Sequence, residues 1–173
     1  MHTIERLSAA EFGSRLEELA DLLVDAVEGG ASVGFVTPFG REDAAAWWKG
    51  RAAAVADSAH LVWGCHAGGA LLGTVSLLLA DKPNSRHRAE LVKLLVHRSA
   101  RGRGLGRALL AEAERAAREA GIELLMLDTE TGSTAEHVYL TGGWIRYGIV
   151  PAYAGAPDGT LLDCSFFYKR LAR

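Results

Sequence analysis

The segment RSARGRGLGRALLAEAERAAREAG, residues 98–121, constrains this chain more than any other. Leu105, Leu109, Ala113, Ala116 and Ala120 recur at helical spacing, and Glu112, Arg115, Arg118 and Glu119 lie off that face. Gly121 closes the helix. The apolar run LLV at 94–96 reads as strand. Gly102, Gly104 and Gly106 therefore stand where a strand turns into a helix. There the first backbone amides lack intrahelical partners, and the helix dipole adds positive charge. Bare glycines let an anion approach those amides, and Arg101, Arg103 and Arg107 add charge around it. The segment is a cradle for a phosphate or pyrophosphate, spread over residues 102–107.

Two common phosphate loops do not fit. No Lys-Ser or Lys-Thr follows the glycines, as a Walker loop requires, and Arg107 occupies the last position of the dinucleotide pattern G-x-G-x-x-G. A nucleotide-binding domain is disfavoured on that ground. A net charge of -2 on 173 residues argues against general nucleic-acid binding. Cys65 and Cys164 lie far apart in apolar, strand-like surroundings, which suits buried thiols in a reducing compartment. The N-terminal residues show no signal-peptide core, and no apolar run reaches the roughly 18 residues of a membrane span. The expectation is a cytoplasmic protein without a membrane partner. The six histidines show no metal-ligand spacing, so no metal is expected.

The rest of the chain reads as a mixed order of helices and strands in one domain, 1–173. TIERL is a first strand, and Ser8 with Glu11 forms a capping box. Phe12, Leu16, Leu19, Leu23 and Val27 predict one helix up to a glycine-rich loop, GGASVGFVTPFG. A second helix runs from Arg41 or Glu42 through AAAWWKGRAAAVA. AHLVWGCHA and ALLGTVSLLLA are strands joined at Gly68-Gly69, a hairpin signal. AELVKLLVH and IELLMLD flank the glycine segment as the fourth and fifth strands, with the polar loop DKPNSRH before the fourth. STAEHVYLTGG is a short helix; WIRYGIV and LLDCSFFYKRL are the last strands, with PAYAGAPDG between them. Trp47, Trp48 and Trp63 read as core or pocket wall.

Arg101, Gly104 and Gly106 form R-x-x-G-x-G after an apolar strand, and Ala135, Tyr139, Gly143 and Trp144 form A-x-x-x-Y-x-x-x-G-W. In this order the chain resembles the GCN5-related N-acetyltransferase (GNAT) superfamily, over about residues 60–170 and more loosely elsewhere. VEGGASVGF and LDTETGSTAEHVY are similar to its tabtoxin-resistance-like branch, whose members acetylate a small amine-bearing toxin. Many family members carry Asn where this chain has Gly132, so Ser133 or a backbone group has to replace any contact it makes. The resemblance implies an α+β fold. Its mixed, mostly antiparallel sheet of six or seven strands carries helices on both faces, with the fourth and fifth strands splayed. It also implies acetyl-CoA as cofactor: its pantetheine arm along Leu94, Leu95 and Val96, its pyrophosphate on Arg101, Gly102, Arg103, Gly104, Leu105, Gly106 and Arg107.

Acetyl transfer to an amine needs a neutral amine, a donor for the developing oxyanion and an acid for the departing thiolate. The resemblance puts Tyr139 beside the sulfur as the acid, and a backbone N–H of residues 94–96 as the oxyanion donor. Asp128, at the end of the fifth strand, is the first choice for the base and for attracting the acceptor; Glu90, Glu28 and water remain alternatives. The structural readings stand beside these: Tyr139 as a core residue, Asp128 as a helix cap, Glu90 and Glu28 as solvated charges. The expected activity is acetylation of a primary amine on a small molecule, an amino acid derivative, amine antibiotic or toxin, by direct transfer in a ternary complex. The assembly is expected to be monomer or homodimer. A non-catalytic acyl-CoA sensor on the same fold is the competing class.

Overall fold

Seven strands and six helices alternate along a computed structural model that describes residues 2–172. β1 (Thr3–Arg6) leads into α1 (Ala9–Ser14) and α2 (Leu16–Glu28), then α3 (Arg41–Lys49) and α4 (Ala52–Ala56). β2 (His60–Ala67), β3 (Ala70–Leu79) and β4 (Arg88–Val96) follow, then α5 (Leu105–Glu119), β5 (Leu124–Glu130) and α6 (Thr134–Thr141). β6 (Ile145–Gly155) and β7 (Leu161–Arg170) complete one sheet in the order β1-β2-β3-β4-β5-β7-β6. Every neighbouring pair is antiparallel except β4 with β5. No helix is long and apolar enough to cross a membrane among the described residues.

Local chemistry sets several of these elements. Ser8 and Glu11 exchange the two bonds of a capping box, 3.2 Å and 2.8 Å. Gly68 and Gly69, at φ 59° and 84°, make the tight turn between β2 and β3 with no strain from a side chain. The single helix expected from Phe12 to Val27 is two helices. Its pattern breaks beside Gly13, a poor helix former, and Arg15 leaves helical geometry at φ -108°, ψ 14°. The second helix divides in the same way at Gly50 and Arg51. PAYAG is not a loop: β6 carries it, with register shifts between Arg146 and Gly148 and between Val150 and Ala154. The polar loop before β4 holds one 3-10 turn, Pro83–Ser85.

Two cores sandwich the sheet. α5 and α6 lay Leu105, Leu109, Ala113 and Tyr139 on one face, against Val75, Leu77, Leu125 and Phe167. α1 to α4 pack Phe12, Leu19, Leu23 and Trp48 on the other, against Val62, Leu71 and Leu95. Trp48 donates from Nε1 to the Leu19 carbonyl at 3.0 Å, so its one polar atom is satisfied inside the core. Glu114 is buried on α5, where it accepts from Trp144 Nε1 at 2.9 Å and Lys169 Nζ at 2.6 Å.

Candidate active site

β4 and β5 form the parallel crossover pair, with α5 as their connection. They are paired at only three positions, Arg88 with Leu124, Ala89 with Leu125 and Glu90 with Met126. Past Glu90, β4 continues to Val96 on β3, while β5 continues to Glu130 on β7. Their facing edges run on without pairing to each other. A bulge in β4 accompanies the divergence. Ser76 pairs with Val92 and Thr74 with Leu95, so β4 carries one extra residue, and Lys93 adopts φ 54°. That conformation costs a non-glycine residue about 1–2 kcal/mol. Leu95 is buried, Leu94 and Val96 half-buried, so this part of β4 is not enclosed on both faces.

Side chains two residues apart share a face. Asp128 is two residues past Met126, the partner of Glu90, so the two carboxylates flank the opening on one face. Both line a cavity of about 410 Å³, together with Leu78, Tyr147, Tyr153 and Phe166. Each carboxyl is exposed at the cavity edge, yet the surrounding walls hold both above the ordinary carboxylate range. Glu90 is raised further by the charge of Asp128; the Lys93 ammonium pulls both back down. Asp128 is not a helix cap: it pairs with Phe166 within the sheet, and Ser133 caps α6 by accepting from Glu136 N at 3.1 Å.

The glycine segment folds as a strand-to-helix turn. Gly102 and Gly104 lie at φ 75° and 77°, and Gly104 is the left-handed N-cap of α5. A Cβ on either would meet nothing within 4 Å, and one on Gly106 only Val96 Cγ2 at 3.8 Å. The space over the α5 amides is open toward solvent, so this chain's residues fit a pyrophosphate there. The arginines are tethered beside it. Arg101 Nε donates to the Val96 carbonyl at 3.1 Å, Arg103 Nη2 to the Ser99 carbonyl at 3.0 Å, and Arg107 Nη2 to Thr141 Oγ1 at 3.3 Å.

Asp25 anchors the segment, and nothing in the glycine motif announces it. It is buried on α2, accepting from the Arg98 backbone N–H at 3.0 Å and from Arg98 Nε. Arg101 Nη2 is 3.7 Å from it and His97 Nε2 3.4 Å. A carboxylate on the apolar face of α2, between Leu22 and Ala26, was the available signal. Glu28 does not line the cavity. It pairs with Arg98 at 3.3 Å, which sets it at the glycine segment instead of beside Asp128 and Glu90.

Tyr139 is buried on α6, its ring 5.7 Å from Trp144 and 6.1 Å from Phe167. The core reading of its ring therefore holds. Its hydroxyl has no hydrogen-bond partner among the described residues, and burial with the nearby Asp128 charge pushes it above the usual phenol range. At Gly132, where the family pattern carries Asn, the backbone N–H donates to Glu136 at 2.7 Å. Cys65 and Cys164 are buried, and burial raises both thiols.

The sequence profile of the Acetyltransferase (GNAT) family matches residues 16–141. The chain belongs to that family. It is 31% identical over 128 residues, 73% of this chain and 74% of the other, to an uncharacterized N-acetyltransferase in the hisH-hisA intergenic region of Azospirillum brasilense. The fold superposes on a ribosomal-protein-alanine N-acetyltransferase from Brucella melitensis with a TM-score of 0.77, at 26% identity and 98% and 99% coverage of the two chains. It superposes on yncA from Salmonella typhimurium, solved with its cofactor acetyl-CoA, with a TM-score of 0.78, at 20% identity and 100% and 95% coverage. This GNAT chain is accordingly an acetyltransferase.

Proposed function

We propose that this acetyltransferase transfers acetyl to a primary amine of a small molecule, directly, with donor and acceptor bound together. The observation that carries this reading is the opening between β4 and β5, flanked on one face by Glu90 and Asp128. A donor fits from the α5 side, where residues 102–107 offer amides to its pyrophosphate and the free edge of β4 at Leu94, Leu95 and Val96 offers backbone groups to its arm. Bound there, acetyl-CoA supplies an acetyl thioester. The acceptor fits the 410 Å³ cavity on the other face. No nucleophilic side chain is needed between them, and both thiols of the chain are buried and pushed toward the neutral form.

Asp128 draws the ammonium of the acceptor and takes its proton, directly or through water; Glu90 is the second carboxylate within reach. A carboxyl raised above the ordinary range is a stronger base than a surface aspartate, which suits the task. The Tyr139 hydroxyl, with no hydrogen-bond partner among the described residues, is free to hydrogen-bond the departing sulfur. Its raised pKa keeps it protonated and makes it a hydrogen-bond donor more than a full proton donor. The free thiols of Cys65 and Cys164 support a cytoplasmic setting.

Release of free thiol from acetyl-CoA, followed across a panel of small primary amines, tests the reading. Amine-dependent release, with the acetylated amine found by mass, is the expected result. Tight acetyl-CoA binding with no amine-dependent release would favour a sensor and refute transfer.

A further inference from the structure

The acceptor face carries a second set of charges that the transfer chemistry does not use. Lys93 leaves the alternation of β4 at the bulge and sends its ammonium toward the loop between α2 and α3. There Nζ donates to the Val33 carbonyl at 2.8 Å and lies 5.5 Å from the Phe35 ring and 4.9 Å from Trp47. Arg51 covers the same indole, its guanidinium 3.8 Å from the ring, and donates to the Trp47 carbonyl at 2.9 Å. Both cations are half-buried. Among the described residues, no carboxylate comes within 4.0 Å of either. Two like charges crowd one indole, partly withdrawn from water, and the carboxylates whose charges act on Lys93 (those of Asp128 and Glu90) do so from beyond 4.0 Å, which leaves an anion favoured between the two cations.

Buried polar atoms lie on the same face. His60 is two residues from Val62, which packs under α1 to α4, and Ser76 is the cross-strand partner of Val62 and of Val92. Both ring nitrogens of His60 and the hydroxyl of Ser76 are buried without a partner among the described residues. Burial first, and then the nearby Arg51 and Lys93 charges, hold the imidazole down to about 4, so at neutral pH it carries one N–H donor and no charge. His60 and Glu90 are both partners of Leu78, which lines the cavity. The Lys93 ammonium is near enough to Glu90 and Asp128 for their charges to act on it, so the cationic group borders the acidic pair; Tyr153 and Phe166 line the acceptor cavity, and Phe35 and Trp47 pack around Lys93.

We propose that Lys93 and Arg51, with His60 behind them, bind a carboxylate carried by the acceptor, so that the acceptor is an amino acid held at both ends. Its amine faces Asp128 and Glu90, its carboxylate faces Lys93, and its side chain meets the aromatic walls. This rests on the acetyl-transfer reading above and narrows the amine to one class. A simple diamine or polyamine meets two cations where an amino acid meets a counter-ion.

Two matched pools test the proposal: the twenty L-amino acids, and the same compounds as C-terminal amides, each assayed for thiol release from acetyl-CoA alongside simple alkylamines. The expected result is a kcat/KM at least about tenfold higher for an acid than for its own amide. Lys93→Met keeps the stem against Phe35 and Trp47 and removes the charge; it should bring that ratio to about one, and Lys93→Arg should restore part of it. Arg51→Gln should lower the ratio in the same direction, and serves if Lys93→Met does not fold. Amides or alkylamines acetylated as well as acids would overturn the subsite and leave the transferase standing. Equal losses on acids and amides in Lys93→Met, with the ratio intact, would reduce Lys93 to a support for the loop and overturn it too. No thiol release with any amine removes the transfer reading, and this inference with it.

Discussion

Asp25→Asn separates the anchoring of the glycine segment from the chemistry of the site. The aspartate holds the Arg98 backbone N–H at 3.0 Å and Arg98 Nε from a side chain only 8% exposed. Hydrogen bonds to a charged acceptor contribute about 1.5–3 kcal/mol each, against about 0.5–1.5 for a neutral one. Neutralising the acceptor of two bonds therefore costs about 2–3 kcal/mol. The amide also turns an NH2 toward one of two donors. Arg98 is 51% exposed, so water recovers part of the loss and about 2 kcal/mol remains. For a chain of 173 residues that lowers the melting temperature by about 4–8 °C. The consequence for function is specific. Residues 97–101 lose their tie to α2, the turn before α5 loosens, and the KM for acetyl-CoA rises several-fold with kcat nearly unchanged. Glu28→Gln is the control, because its pair with Arg98 at 3.3 Å is exposed and contributes at most a few tenths of a kcal/mol. Thermal melts and steady-state kinetics on the two variants decide it. A lower melting temperature with an unaltered acetyl-CoA KM would refute the anchoring argument.

Three further outcomes are expected. Asp128→Asn should lower kcat/KM for the acceptor by about 10²; the wild-type rate should fall as pH drops through the raised carboxyl pKa, and a variant that keeps this acid limb would move the base to Glu90 or water. Tyr139→Phe should lower kcat by about 10 to 10³ with acetyl-CoA affinity intact, and the wild type should show no alkaline loss from this phenol between pH 8 and 10, since burial holds it protonated; a wild-type rate in the variant makes Tyr139 a packing residue only. His60 is depressed from 6.5 to about 4 in the fold, so the unfolded chain binds the extra proton between those values. Its contribution to stability is complete above pH 6.5 and lost as pH falls toward 4, about 3 kcal/mol in all. Denaturant midpoints measured across that range check it, and a His60→Leu protein with the same slope would assign the loss to other groups.

Much of the fold was legible from periodicity, because most elements bury one face. The Leu105-Leu109-Ala113 spacing and the Gly68-Gly69 turn marked α5 and the first hairpin, and R-x-x-G-x-G located the turn from β4 into α5. The breaks at Arg15 and Gly50 were not legible, since apolar spacing continues across a one-residue interruption and a single glycine is tolerated in many helices. Glu90 and Asp128 could be named as carboxylates near strand ends, but their common face depends on the pairing of Glu90 with Met126, which only the register supplies. Glu28 misled because its neighbours Gly29 and Gly30 suggested a loop over the acceptor, while the partner that takes it, Arg98, is 70 positions away in sequence. Lys93 was invisible for a related reason. In KLLV it reads as one polar residue in a strand, and the bulge that turns it toward Trp47 has no signature in the residue types.

The three-rung contact between β4 and β5 also has a mechanical meaning. Residues 3–96 build one leaf of the sheet from neighbours in chain order, and residues 124–170 build the other; the leaves share α5 and this short seam. Such a sheet resembles a book bound at one end of its spine. Flexing about the seam widens or narrows the far end of the cleft without breaking a hydrogen bond inside either leaf. A molecule that must grip a long cofactor, hold it through one reaction and let it go can do so by a hinge motion that keeps the strand pairing of each leaf. That motion is resisted only by the seam and by the core under α5 that bridges the two leaves.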